Sequence, residues 1–260
     1  DPKTGGVLAM ASKQISENAE GYKISDYTTN LLTGSLAPGS IVKGASMLTG
    51  YSSGNLKIGE VLYDKCIKFK NTPRKCSWKT SLGALNDLKA LELSSNSYQF
   101  QVALKVANVK YYDNMPVKID EAPFKVYRNV FNSLGLGVKS GIDLPFETEG
   151  YKGKEYNAGL LLNYSIGQYD TYSVMQLASY VNTIINEGER LKLNLVKEVK
   201  YATKDNSIGK TKSTYQKTVL NNSNIDNIYF KRVKEGFASV MKGMLGRGYM
   251  GGSPDPAGKT

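Results

Sequence analysis

The sequence predicts an α+β fold, a helical lobe beside an antiparallel sheet. Three observations carry that expectation. Apolar residues recur at helical spacing through the middle of the chain, and short strand-like stretches sit towards its two ends. The chain has 260 residues, 40% of them hydrophobic, enough to bury one substantial core. It has no run of 18 apolar residues, so no transmembrane helix is predicted.

Taken in order, Pro38-Gly39 stops what precedes it and lets the chain turn sharply. Ile41, Val42, Ala45, Met47 and Leu48 then predict a buried helix ending near Gly50 or Gly54. Cys66 and Cys76 flank a turn at Asn71-Thr72-Pro73-Arg74. Residues 84–93 carry Leu85, Leu88 and Leu91 at helical spacing, and a second helical pattern opens at Tyr98 with Phe100, Val102, Ala103 and Val106. Residues 123–134 read as an amphipathic helix (Phe124, Tyr127, Val130, Phe131, Leu134) closed by Gly135, and residues 174–185 as a strongly apolar, central core helix. Residues 196–219 alternate weakly, as a two-stranded ribbon with a loop near Asp205-Asn206-Ser207. Val233, Phe237, Val240, Met241 and Met244 share one face of a last helix. No internal repeat or low-complexity tract breaks this order.

Net charge is +11, and Lys197, Lys200, Lys204, Lys210, Lys212 and Lys217 fall in or beside the predicted ribbon. The plain reading is a solvated face with lysines on its outer side. A basic face also suits an anionic membrane or wall polymer. Nucleic acid is a poor partner, because no reading motif accompanies the lysines.

The chain contains no histidine, which removes a Ser-His-Asp triad and a histidine-ligated metal. A serine nucleophile here needs another base, and lysine is the available one. Ser40 and Lys43 lie three residues apart at the start of the first buried helix, on one face. Ser40 sits at the end where the helix dipole favours negative charge. Lys43 lies among apolar residues, where desolvation lowers a lysine pKa. Taken alone, a Ser-x-x-Lys spacing is common and describes many solvated helix faces. Ser94-Ser95-Asn96 falls at the corner between two predicted helices, where side chains project; alone it would read as paired helix caps. Gly258-Lys259-Thr260 closes the sequence and means little by itself. The two cysteines leave three options open: a disulfide across a hairpin, two free thiols, or a metal site with carboxylate co-ligands.

In the order Ser-x-x-Lys, Ser-x-Asn, Lys-Thr, with gaps of about 50 and then about 160 residues, the three motifs are specific. They resemble the transpeptidase domain of class B penicillin-binding proteins, on the fold shared with serine β-lactamases. The resemblance runs through most of the chain. Asp1-Pro-Lys-Thr-Gly5 with Val7–Ser12 is similar to the family's opening hairpin, and Gly167-Gln168 with Met175-Gln-Leu-Ala178 to its Gly-Gln…Gln-Leu-Ala signature. The flanks of residues 42–51 and 166–171 are most similar to elongation-type enzymes of Gram-positive bacteria.

The resemblance implies residue roles. Ser40 is the nucleophile, Lys43 its base, Ser94 a proton relay and Asn96 an orienting amide, while Lys259 and Thr260 hold the substrate carboxylate. It implies peptidoglycan stem peptides as substrates, β-lactams as inhibitors, no cofactor and no metal. It also implies a membrane glycosyltransferase partner and work at the outer face of the bacterial membrane. Residues 1–260 are then an incomplete transpeptidase domain, with anchor, pedestal domain and C-terminal strands outside them. Two rivals keep the fold: a serine β-lactamase, for which Glu147, Glu149 and Glu155 are candidates to activate water, and a non-catalytic β-lactam sensor.

Overall fold

The computed structural model describes residues 1–18, 21–205, 207–243 and 256–259. Its elements, in chain order, begin with β1 (Lys13–Asn18), β2 (Gly21–Asp26) and α1 (Asn30–Thr33). A 3-10 turn, Gly39–Val42, leads into α2 (Lys43–Ser52). Then come β3 (Leu62–Asp64), β4 (Gly83–Leu85), α3 (Asp87–Glu92), α4 (Asn96–Val106), α5 (Ala122–Ser133) and α6 (Ala158–Ser165). The order closes with α7 (Val174–Ile185), β5 (Glu189–Leu191), β6 (Glu198–Ala202), β7 (Ile208–Thr214), β8 (Val219–Asn222) and α8 (Asn227–Lys242).

This is an α+β fold. Among the described residues its strands form four separate antiparallel pairs, β1–β2, β3–β4, β5–β8 and β6–β7, rather than one sheet. The residues divide into two compact units, 1–36 with 133–150 and 172–223, and 37–132 with 151–171 and 224–260. In the first, Leu32, Ile142, Met175 and Leu193 form a buried cluster flanked by Val7, Met10 and Leu144. Helix α7 has the predicted bounds. Ser173 and Gln176 close a capping box at its start, each side chain taking up the other's free backbone N–H. Met175, Tyr180 and Ile184 are buried, while Val174, Val181 and Ile185 remain exposed.

The second unit is mostly helical. Helix α5 buries Phe124, Tyr127 and Phe131, whose rings meet Tyr164 of α6. Beside that aromatic cluster Arg128 donates two hydrogen bonds, at 2.8 and 2.9 Å, to the buried carboxylate of Asp170. Helices α2, α3 and α8 converge on Asp87. Arg232 of α8 donates to both its oxygens at 2.7 and 2.8 Å, and the Tyr51 hydroxyl of α2 donates at 2.6 Å. Gly236 lets α8 close on α3, since a Cβ there would lie 2.4 Å from Leu91 Cδ1.

Two predicted helices begin elsewhere. Ala84 and Leu85 are in β4, and α3 starts only after Asn86, whose side chain accepts the Lys89 N–H as an N-cap. Helix α4 starts at Asn96 rather than Tyr98, because Ser95 caps it through the Tyr98 N–H. The predicted ribbon is β6–β7. Asn206 of its loop and Met244 of the last helical face lie outside the described residues. Among the described residues, no helix is long and apolar enough to cross a membrane.

Candidate active site

Ser40 lies in the 3-10 turn that precedes α2, and Lys43 is the first residue of α2. The sequence predicts one continuous α-helix here. In a 3-10 turn residues i and i+3 eclipse, so the same spacing aligns the two side chains more directly than an α-turn does. The turn is braced from behind. The Gly39 N–H donates to the Gly167 carbonyl at 2.9 Å, and a Cβ on Gly167 would sit 2.2 Å from the Gly39 oxygen. Gly167 also has φ +75°, so the Gly-Gln signature marks a place where only glycine fits. Helix α2 is tied to the same region by the buried Ser46 hydroxyl, which donates to the Ser165 carbonyl at 2.7 Å.

Ser94 occupies the corner between α3 and α4. Its N–H donates to the Leu91 carbonyl and the Ser95 N–H to the Ala90 carbonyl. This is the double bond pattern that ends a helix through a left-handed residue, and that residue is ordinarily glycine. Here it is Ser94, with φ +53°. A side chain in that conformation costs about 1–3 kcal/mol and persists where the surroundings require it. The corner is pinned by Trp78, whose indole N–H donates to the Leu93 carbonyl at 2.9 Å.

Lys43 is fully buried. Its Nζ donates to the Ser94 carbonyl at 2.7 Å, to Asn96 Oδ1 at 2.7 Å and to Ser94 Oγ at 3.2 Å. Asn96 turns that oxygen towards the amine because its own Nδ2 donates to the Cys76 carbonyl at 3.4 Å. Burial, and then the positive charge of Lys259, hold the Lys43 pKa well below 10.5, while Asp64 works in the opposite direction. Lys259 Nζ donates to Ser94 Oγ at 2.8 Å, and burial pulls its pKa to about 8. Its approach is set by Gly258, whose N–H donates to the Phe237 carbonyl of α8. Two amines thus flank one hydroxyl. An amine whose pKa is lowered in this way loses its proton more readily and can take up another, and the adjacent hydroxyl can pass it on.

Five of the six predicted motif residues, Ser40, Lys43, Ser94, Asn96 and Lys259, therefore fall in one unit. Lys43, Ser94, Asn96 and Lys259 are joined by hydrogen bonds; Thr260 lies outside the described residues. Cys66 and Cys76 are bonded to each other, with Cα atoms 4.3 Å apart, so neither is a free thiol or a metal ligand. Sequence reasoning missed two residues beside the disulfide, Asp64 and Ser77, which lie behind Asn96 in a buried polar network. Of the glutamates raised for water activation, Glu147 accepts the N–H groups of Ser140 and Gly141 with its two oxygens, and Glu149 and Glu155 are exposed.

Comparison with known proteins gives a consistent result. The family described as the penicillin binding protein transpeptidase domain matches residues 1–260. The chain is 41% identical to Penicillin-binding protein 2A of Bacillus subtilis over 262 aligned positions, covering 100% of this chain and 36% of that protein. It is 34% identical to Penicillin-binding protein H of the same organism, again over 36% of that protein's length. Among solved structures, penicillin-binding protein 2B of Streptococcus pneumoniae superposes with a TM-score of 0.89 at 31% identity, covering 100% of this chain and 44% of that one. The chain thus spans little more than a third of the length of the curated relatives it matches.

Proposed function

The chain belongs to the penicillin-binding protein transpeptidase family, and we propose that it carries the acyl-transfer centre of a serine D,D-transpeptidase. The observation that carries the proposal is the Lys43 amine, buried and held by Ser94 and Asn96 in a chain with no histidine.

Ser40 Oγ attacks the carbonyl carbon between the two terminal D-alanines of a peptidoglycan stem peptide, and its proton passes to Lys43 Nζ. The developing oxyanion is met by the Ser40 backbone N–H. As the C–N bond breaks, the proton returns through Ser94 Oγ to the departing D-alanine nitrogen, leaving an ester on Ser40. An amine from a neighbouring stem then attacks the ester, forms the cross-link and restores the serine. Asn96 keeps the Lys43 amine aimed and bonds the substrate amide. Lys259, with Thr260, holds the terminal carboxylate by charge-assisted hydrogen bonds. In a β-lactam the broken C–N bond lies in a ring, so the amine stays attached and the acyl-enzyme persists. Glu147, one candidate to activate water for hydrolysis, instead accepts the Ser140 and Gly141 N–H groups. The substrates place this chemistry at the outer face of the cell membrane, beside a glycosyltransferase that supplies the glycan.

Fluorescent penicillin is expected to label the full-length protein at Ser40, and Ser40→Ala to abolish the label. A label that survives the substitution, or that maps to Ser94, overturns the assignment.

A further inference from the structure

Asp64, at the end of β3, is 1% exposed. Its Oδ2 accepts the Ser77 hydroxyl at 2.7 Å and the Ser95 hydroxyl at 2.5 Å. Each hydroxyl is itself an acceptor. Ser77 Oγ takes the N–H groups of Asn96 and Ser97, both at 3.1 Å, and Ser95 Oγ takes that of Tyr98 at 2.9 Å. Three of the otherwise unpaired N–H groups that open α4 therefore end on two hydroxyls backed by one carboxylate. Ser97 locks the same place from the other side, accepting the Lys65 N–H and donating to the Lys65 carbonyl. The disulfide joins the two stretches that carry this arrangement: Asp64 is two residues before Cys66, and Ser77 directly follows Cys76.

Capping alone does not require a charge at this place. A serine or asparagine oxygen serves a helix N-terminus about as well as a carboxylate. A buried carboxylate is costly unless it is paired, and Oδ1 of Asp64 is buried with no hydrogen-bond partner among the described residues. The positive charge of Lys259 lowers the Lys43 pKa, and Asp64 works in the opposite direction.

We propose that Asp64 is a positioning residue for the acyl-transfer centre: through Ser77 and Ser95 it fixes the Ser94–Asn96 corner that holds Lys43. This rests on the reading of Lys43 as the base. Two effects follow, and they separate. Asp64→Asn keeps an acceptor for both hydroxyls and removes the charge. Ser77→Ala keeps the charge and strips the acceptor from Asn96 and Ser97.

The experiment measures the acylation rate constant of the full-length protein with benzylpenicillin as a function of pH. Removing a negative charge near Lys43 makes its protonated form less favourable, so its pKa falls further. The neutral base then persists to lower pH, and the acid limb of the Asp64→Asn profile moves to lower pH than in wild type. Ser77→Ala lowers the rate about tenfold at every pH, the order expected when buried N–H donors lose their acceptor, with the limb in place. An unmoved limb in folded Asp64→Asn protein, or a wild-type rate in Ser77→Ala, overturns the inference. Should Asp64→Asn not fold, Ser77→Ala decides alone by the same rate criterion. Wild-type protein that is not acylated at Ser40 would sink the transpeptidase reading itself. Wild-type acylation with unchanged variants sinks only the role of Asp64.

Discussion

Lysine is put to opposite uses in the cradle around Ser94 and in the β6–β7 ribbon. In the cradle, Lys43 is buried and Lys259 largely so, both amines contact one hydroxyl, and both pKa values are lowered, chiefly by burial. In the ribbon nearly every residue is exposed. There Lys200 meets Glu198 at 2.8 Å and Thr211 at 2.7 Å, and Lys212 lies 5.9 Å from the centre of the Tyr201 ring. Water screens such exposed pairs, and they contribute little to stability. The same side chain is a solvated point charge in one place and a desolvated amine in the other. A net charge of +11 therefore says little about the chemistry; what matters is which lysines lose their water.

The sharpest way to break that contrast is to keep the charge and remove the ability to lose a proton. Arginine stays protonated at any working pH. Lys43→Arg is expected to cut β-lactam acylation by at least ~10²-fold, the low end for general-base catalysis, while Lys210→Arg in the ribbon leaves the rate unchanged. Gel labelling over a time course measures both. Near wild-type acylation by Lys43→Arg would mean that another base operates.

Much of this contrast is legible in the sequence. The absence of histidine and the Ser40/Lys43 spacing point to Lys43, and the order of the three motifs brings in Ser94, Asn96 and Lys259. Local signals also serve well where one element suffices: the strongly apolar stretch 174–185 is α7, and the structure adds the Ser173 cap at its start. What stays hidden depends on distant parts of the chain. Nothing around Asp64 announces it, since a lone aspartate in a short strand looks like a surface residue until Ser77 and Ser95 are seen to donate to it. The role of Gly167 is equally silent, because its constraint is a carbonyl oxygen 128 positions away in sequence, at Gly39. The 3-10 start of α2 and the left-handed Ser94 are backbone choices that side-chain periodicity does not encode.

Lys259 tests whether the two buried amines have separate duties. Lys259→Gln removes the cation assigned to the substrate carboxylate. A charge-assisted hydrogen bond contributes roughly 1.5–3 kcal/mol, so acylation efficiency should fall about 10- to 10²-fold. The pH profile should move as well. The positive charge of Lys259 lowers the Lys43 pKa; removing it lets that pKa rise, Lys43 stays protonated to higher pH, and the acid limb moves to higher pH. That direction is opposite to the one expected for Asp64→Asn, so the two variants bracket wild type. A rate loss without any movement of the limb would confine Lys259 to substrate binding.

The smallest effect is expected from the ribbon, and it is the control on which the comparison depends. Lys210 and Lys212 sit on β7, exposed on an edge of a two-stranded pair. Surface substitutions away from caps, cores and strained backbone change stability by about 0.5 kcal/mol or less. The double variant Lys210→Gln, Lys212→Gln should therefore keep the wild-type melting temperature within about 1–2 °C for a chain of this size and acylate at the wild-type rate. The one change expected is in long-range attraction: two fewer positive charges weaken binding to anionic vesicles or wall polymer at low salt, and the difference disappears as salt screens it. Acylation of soluble penicillin that fell with the double variant would mean that the ribbon acts on the centre itself. The division of lysines into solvated and desolvated sets would then no longer separate function from surface charge.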